Sequence, residues 1–129
     1  MKKIRFAVVG VGHIGKRHAE MIWRNPEAEL VALIDIKSPE LLGIEKFNVP
    51  FFSSLQSFLD SDLEVDVVNI ATPNGLHAHQ ALLCLDRNMH VVIEKPIALK
   101  SKDVEEVIKK ARDKNKQVFA VMQFGVIIL

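Results

Sequence analysis

Short apolar runs alternate with amphipathic segments along most of this chain. Six runs have strand length and are rich in large apolar residues: 4–9, 30–36, 49–52, 65–71, 90–93 and 117–122. Continuous runs of this kind predict strands that are buried on both faces. Apolar residues recur three and four positions apart in the segments at 13–25, 54–60, 76–87 and from 101 onward, which predicts helices with one buried face.

This alternation predicts the architecture. Consecutive strands that are joined by a helix pair in parallel, through right-handed crossovers. The predicted fold class is therefore α/β, a doubly wound parallel sheet of about six strands with helices on both faces. We expect one domain over residues 1–123, followed by an apolar tail, 124–129, that extends the last strand or promotes self-association.

A glycine-rich turn follows the first strand and opens the first helix. Gly10 suits a tight turn, Gly12 lets a diphosphate approach the main chain, and Gly15 lets helix and strand pack closely. The start of the helix also offers unpaired N–H groups, including that of His13, to an anion. In this context the pattern predicts a Rossmann-type dinucleotide site, and turn glycines without a ligand are the alternative.

An acidic residue supports the dinucleotide interpretation. Asp35 follows Gly15 by twenty positions, at the end of the second apolar run, where a carboxylate binds the ribose hydroxyls. Because its charge repels a 2′-phosphate, the predicted cofactor is NAD. Lys37 is close by, and it leaves NADP open as the less favoured choice.

Two later strand ends also carry polar residues. Glu94 and Lys95 directly follow a buried strand, and charges there either form a plain salt bridge at the strand end or meet a polar ligand. Lys95 suits a hydrogen bond to a substrate hydroxyl or assistance of its proton transfer, which makes it the candidate catalytic residue. Asn74 either caps the following helix or contacts the ligand. The isomer of the peptide bond before Pro96 stays open.

Composition and charge narrow the classes of function. The 129 residues include 17 basic and 16 acidic side chains, a net charge of +1, with no long block of either sign. Neither nucleic acid nor an anionic membrane surface is therefore an expected partner. The late apolar stretch at 118–129 is shorter than the roughly 20 residues of a membrane span, and Arg5 interrupts the first run, so we expect no signal sequence.

Cysteine and histidine usage gives no sign of a metal site. Cys84 is the single cysteine and lies in an apolar helix, which predicts a buried thiol and a cytoplasmic location. His77 and His79 are two positions apart on a predicted helix, so they point in different directions, and no other ligand stands at a usual zinc spacing. His18 and His90 are expected to be structural or surface residues.

Together these motifs resemble the Gfo/Idh/MocA family (glucose-fructose oxidoreductase, inositol dehydrogenase, rhizopine catabolism), and specifically its N-terminal cofactor domain. The resemblance covers about residues 3–123 and rests on the glycine turn, Asp35, Ala71-Thr72-Pro73-Asn74 with His77, and Glu94-Lys95-Pro96. It implies an NAD(P)-dependent dehydrogenase in which Lys95 lies near both nicotinamide and substrate. The residues that it implies at the cofactor are Gly10, Gly12, His13, Ile14, Gly15, Asp35, Ile36, Ala71, Thr72, Pro73, Asn74, His77, Glu94, Lys95 and Gln123.

The resemblance also implies a substrate class. Family members oxidise a secondary alcohol of a sugar, cyclitol or nucleotide-linked sugar, and Val121-Met122-Gln123 resembles members that act on nucleotide-linked N-acetyl sugar acids. Members continue into a second α/β domain that supplies most of the substrate pocket and the subunit interface. We expect that domain to be absent from these 129 residues, the chain not to turn over by itself, and the full-length form to be a homo-oligomer.

Two other classes of function use a similar turn. A non-catalytic nucleotide-sensing or scaffold module needs the glycine turn but gives no reason for Glu94 and Lys95. A methyltransferase is a third and weaker interpretation.

Overall fold

The computed structural model describes residues 2–73, 75–95, 100–122 and 125–129. Seven strands lie within these residues: β1 (Ile4–Val9), β2 (Ala28–Ile34), β3 (Phe51–Phe52), β4 (Val67–Ile70), β5 (His90–Glu94), β6 (Val118–Met122) and β7 (Gly125–Ile128). The helices are α1 (His13–Arg24), α2 (Pro39–Leu42), α3 (Leu55–Leu59), α4 (His77–Asp86) and α5 (Ser101–Lys114), with one 3-10 turn at Glu45–Phe47.

The strands form one sheet in the order β3-β2-β1-β4-β5-β6-β7. Strands β1 to β6 pair in parallel, and β7 pairs with β6 in the antiparallel direction. The chain order reverses between β1 and β4, which is the switch point where open α/β sheets bind ligands beyond the carboxyl ends of the strands. The predicted doubly wound parallel sheet is confirmed.

Each face of the sheet has its own apolar core. Helices α3, α4 and α5 cover one face, where Leu85 and Val107 pack in a cluster with Val9 of β1. Helices α1 and α2 cover the other, where Ala19 and Leu42 belong to a second cluster. Burial on both faces explains why β1 is apolar without alternation from Phe6 to Val9.

The strands differ from the predicted ones mainly at their ends. The third strand has only residues Phe51 and Phe52, and β2 ends at Ile34 rather than at residue 36. Asp35 therefore lies in the loop after β2. Its N–H still donates to Phe52 O of β3 at 3.1 Å, which holds the residue at the carboxyl edge of the sheet.

The apolar tail forms a seventh strand, where about six strands were expected. Residues 125–128 do not extend β6 but form β7, a separate antiparallel strand at the edge of the sheet. The physical reason is the length of the connection. Only residues 123 and 124 separate β6 from β7, and a parallel pair needs a crossover of a dozen or more residues.

Candidate cofactor-binding site

The bend after β1 requires glycine at its first position. Gly10 has φ +84°, and a Cβ atom added there would lie 2.8 Å from both Ala71 C and Thr72 N. The Gly10 N–H donates to Ile34 O at 2.8 Å, and the Ala71 N–H donates to Val9 O at 2.8 Å. The bend is therefore held between the carboxyl ends of β2 and β4, with no room for a side chain.

The third glycine of the motif brings α1 against the bend. A Cβ atom added to Gly15 would lie 1.7 Å from Gly10 O and 2.8 Å from Gly10 C. Both atoms belong to the main chain, so no side-chain rotation would relieve the overlap. Gly15 thus allows the first turn of α1 to pack directly on the bend that precedes it, as its place in the motif predicts.

The second glycine faces open space. A Cβ atom added to Gly12 would have no described atom within 4 Å. Gly12 is the N-cap of α1, and no side chain of the described residues caps it. No acidic residue lies in the first turn, so no side chain of α1 itself neutralises its free N–H groups or the positive end of its dipole.

The Asp35 carboxylate lies at the mouth of this bend. Its Oδ2 accepts a hydrogen bond from the Val11 N–H at 2.8 Å, and its Oδ1 accepts one from the Lys37 N–H at 2.9 Å. The two bonds fix the position of the carboxylate. Each oxygen still has capacity to accept a further hydrogen bond from a ligand.

A cleft of about 480 Å³ runs along these groups. It is lined by the glycine bend, the loop after β2 and the loop after β4, including Gly12, Ile14, Asp35 and Thr72. A smaller hollow of about 180 Å³ shares part of this lining and extends to Leu55 and Gln80. Ile36 lines both and is 88% exposed, which leaves an apolar surface for the flat face of a ring.

The loop after β4 is held by its own helix. His77 is 1% exposed, and its Nε2–H donates to Thr72 O at 2.5 Å. The Thr72 hydroxyl donates to Gln80 Oε1 at 2.5 Å. His77 therefore acts on the cleft through Thr72 in this structure, and its predicted contact with a cofactor stays a prediction. The contribution of Gln80 was not predicted.

A polar cluster around Glu94, the residue before Lys95, was also missed. Glu94 Oε1 lies 2.6 Å from His18 Nε2, and His18 Nδ1 lies 2.9 Å from Asn69 Nδ2. The side chains of His18 and Glu94 are 13% and 16% exposed. With Asn69 as the donor to Nδ1, the imidazole carries its proton on Nε2 and donates it to the carboxylate. Asn69 Oδ1 is buried and has no hydrogen-bond partner among the described residues.

Of the remaining predicted residues, Lys95 is described by the structure and the others are not. Lys95 follows β5 directly and is exposed, at the same carboxyl edge of the sheet as the loop after β4. Asn74, Pro96 and Gln123 lie outside the described residues. The structure gives Leu76 as the N-cap of α4, and both predicted roles of Asn74 stay predictions.

A second groove on the described surface has its charged groups already paired. A groove of about 370 Å³ at the amino edge of the sheet contains Arg5 and Arg87, but both guanidinium groups already bond to protein oxygens. No group of three potential metal ligands comes together in the described ranges. No described helix is both long and apolar enough to cross a membrane.

The sequence matches the family model of the Gfo/Idh/MocA oxidoreductases, which have an NAD-binding Rossmann fold, over residues 4–122. Scyllo-inositol 2-dehydrogenase (NADP(+)) IolU of Bacillus subtilis is 38% identical over 112 residues, which cover 84% of this chain and 34% of that protein. An uncharacterised oxidoreductase of Streptococcus pneumoniae is 33% identical over 94% of this chain. The chain spans about a third of the length of these curated relatives.

Solved dehydrogenase structures have the same fold as this chain. The WlbA dehydrogenase of Chromobacterium violaceum, in complex with NADH and UDP-GlcNAcA, matches with a TM-score of 0.86 and 34% identity over 94% of this chain and 35% of its own. Scyllo-inositol dehydrogenase of Lactobacillus casei, with bound NAD(H) and scyllo-inositol, matches with a TM-score of 0.83 and 28% identity over 92% of this chain and 36% of its own.

Proposed function

The chain belongs to the Gfo/Idh/MocA oxidoreductase family, with its NAD-binding Rossmann fold, and on that premise we propose that the cleft between the glycine bend and Asp35 binds NAD. The observation that carries this proposal is the 2.8 Å hydrogen bond from the Val11 N–H to Asp35 Oδ2. It joins the bend that we propose for the diphosphate to the carboxylate that we propose for the ribose.

The residues present fit a dinucleotide. The open side of Gly12 admits a diphosphate to the N–H groups at the start of α1. Asp35 is proposed to accept hydrogen bonds from the adenosine ribose, and exposed Ile36 to pack against the adenine. Thr72, fixed by His77 and Gln80, is proposed to line the nicotinamide half.

We favour NAD over NADP because of charge. A 2′-phosphate would have to share the space in front of the Asp35 carboxylate, which already faces the bend. Lys37 lines the same cleft, but the bond that ties Lys37 to Asp35 comes from its backbone N–H. The two structural neighbours named above hold NADH or NAD(H), whereas the Bacillus relative is named for NADP(+).

NAD, when bound, supplies the hydride acceptor, and the protein orients it. The proposed reaction of the enzyme to which this cofactor unit contributes is oxidation of a secondary alcohol of a sugar, cyclitol or nucleotide-linked sugar. Lys95 is proposed to take the proton that the substrate hydroxyl releases as its carbon is oxidised. Similarity to WlbA, crystallised with UDP-GlcNAcA, favours the nucleotide-linked class.

Titration calorimetry of the 129-residue chain tests the binding claim. NAD should bind at least about tenfold more tightly than NADP. Asp35→Ala should weaken NAD more than NADP, while Asp35→Asn, which keeps an acceptor for the Val11 N–H, separates loss of charge from loss of the bend's hydrogen bond. No heat with NAD from a folded chain would refute the site, and an equal loss for both dinucleotides would refute the role of Asp35.

A further inference from the structure

Strand β7 lies at one edge of the sheet that the described residues form. Among the described residues it pairs only with β6. Three strands, β4, β5 and β6, separate it from β1 and the glycine bend, so whatever pairs with β7 is independent of the cofactor cleft.

The register fixes which main-chain groups point outward. The Leu129 N–H donates to Val118 O at 2.9 Å, so residues 118 and 129 form a hydrogen-bonded pair. Such pairs alternate along an antiparallel ladder, which makes Ile127 with Ala120 the next one. Val126 and Ile128 occupy the positions between, and their N–H and C=O groups therefore point away from β6.

The side chains of β7 are apolar on both faces of the sheet and exposed. Val126 is 58% exposed, Ile127 49% and Ile128 64%. No charged residue occurs between positions 118 and 129. Proteins usually protect an edge strand with charges, proline or a very short length, and the opposite edge, β3, has only two residues. The β7 edge has none of these protections in its described residues.

We propose that β7 pairs with β7 of a second copy of this chain, antiparallel about a two-fold axis that passes through Ile127. An antiparallel edge is self-complementary under such an axis, since each outward group meets its own counterpart. In this register Val126 faces Ile128 of the second copy, and each of the two such pairs makes two hydrogen bonds. The register uses both outward residues of the strand.

The side chains fit the same axis. Ile127 faces Ile127 of the second copy in a non-hydrogen-bonded pair, the closer of the two pair types. Val126 and Ile128 meet on the other face of the sheet. Every contact joins an exposed apolar side chain to another, so pairing removes apolar surface from water without burying a charge.

Cysteine cross-linking tests the register. Cα atoms in a non-hydrogen-bonded pair lie roughly 4.5 Å apart, within the range of about 4.4–6.8 Å that a disulfide spans. Ile127→Cys should therefore form a covalent dimer under mild oxidation. Ile128→Cys is the matched control, because a rise of about 3.4 Å per residue places its two copies roughly 8 Å apart. Cys84 is buried and should not contribute.

Sedimentation tests the association itself. The chain should shift from monomer to dimer between low and high micromolar concentration. Val126→Lys, at an exposed position, should raise the dimer dissociation constant at least about tenfold with unchanged circular dichroism. Leu41→Lys, also exposed at 80% but near the opposite edge, should leave association unchanged. NAD affinity should be the same in all of these variants.

Three results would overturn the proposal: a monomer throughout the concentration range, equal cross-linking of both cysteine variants, or a dimer that Val126→Lys does not weaken. None of them bears on the NAD site, whose failure appears in calorimetry.

Discussion

Alanine substitutions at Gly12 and Gly15 should have different effects on stability and on NAD binding. Gly12→Ala adds a methyl group in open space, where no described atom lies within 4 Å, whereas Gly15→Ala adds one 1.7 Å from Gly10 O. The first variant should fold normally and bind NAD poorly. The second should lose both stability and binding.

The magnitudes follow from the contacts. At an unobstructed helical position, replacing glycine by alanine stabilises by about 1 kcal/mol. At Gly15, however, α1 and the bend would have to separate by more than about 1 Å to restore van der Waals contact. Both sides are main chain, so the cost should exceed the usual overpacking penalty of about 1–3 kcal/mol. Gly12 is the N-cap of α1, where alanine is less favoured than glycine, so Gly12→Ala should cost roughly 0.5–1 kcal/mol.

Thermal unfolding and calorimetry on the two variants separate the outcomes. Gly12→Ala should melt at most roughly 5 °C lower and lose at least about tenfold in NAD affinity, or 1.4 kcal/mol, because the methyl group stands where the diphosphate approaches. Gly15→Ala should melt at least about 10 °C lower. Unchanged NAD affinity in folded Gly12→Ala would refute the diphosphate assignment. A stable Gly15→Ala would refute the close packing of α1 on the bend.

Three further predictions concern other residues. His18→Leu removes the partner of Glu94, and because both side chains are largely buried it should lower the free energy of unfolding by about 1–3 kcal/mol. Denaturation of the single variants His18→Leu and Glu94→Gln and of the double variant should show that the two losses do not add. Strict additivity would contradict a coupling between the two side chains. Hydrogen bonds from Arg5 hold the pKa of Asp66 below its usual value, so this stabilisation is present above the unfolded pKa of about 3.9 and is lost as the pH falls through the lower folded value. Asp66→Asn should therefore lower the free energy of unfolding by at most about 1 kcal/mol at neutral pH. Thermal melts should show that the difference in stability between this variant and the unmodified chain shrinks in acid. A difference that stays constant with pH would contradict the stabilising role of the Asp66 carboxylate. Burial raises the pKa of the Cys84 thiol to about 12, so a thiol reagent should modify the chain only after unfolding, and rapid labelling of the native chain would contradict its burial.

The part of the site that local sequence determines was predictable. Gly10, Gly15 and Asp35 lie on a strand, turn, helix and strand that follow one another directly, and the lengths of these elements fix where each residue arrives. The structure places the Asp35 carboxylate against the bend through Val11, as the spacing of twenty residues predicts.

The polar cluster of His18, Asn69 and Glu94, which depends on elements distant in the sequence, was not predictable. His18, Asn69 and Glu94 come from α1, β4 and β5, and 51 and 76 residues separate His18 from its two partners. No local pattern announces such a cluster, because each residue alone is compatible with a surface position. The strand order brings them together only when β4 and β5 are laid beside β1.

The antiparallel direction of β7, in contrast, was predictable from the sequence although it was not predicted. Two residues between apolar strands do not allow a crossover, so the last strand had to be antiparallel. Treating 124–129 as a mere extension of β6 overlooked the length of that connection.

Backbone amide shifts in a nitrogen-15 NMR titration with NAD test the central claim most directly. The account predicts that the largest changes fall on the N–H groups of Val11, Gly12, His13 and Ile14, at the bend and the start of α1, with a second group next to Asp35. Changes concentrated instead around the groove at Arg5 and Arg87, with the amides of the bend unmoved, would contradict it.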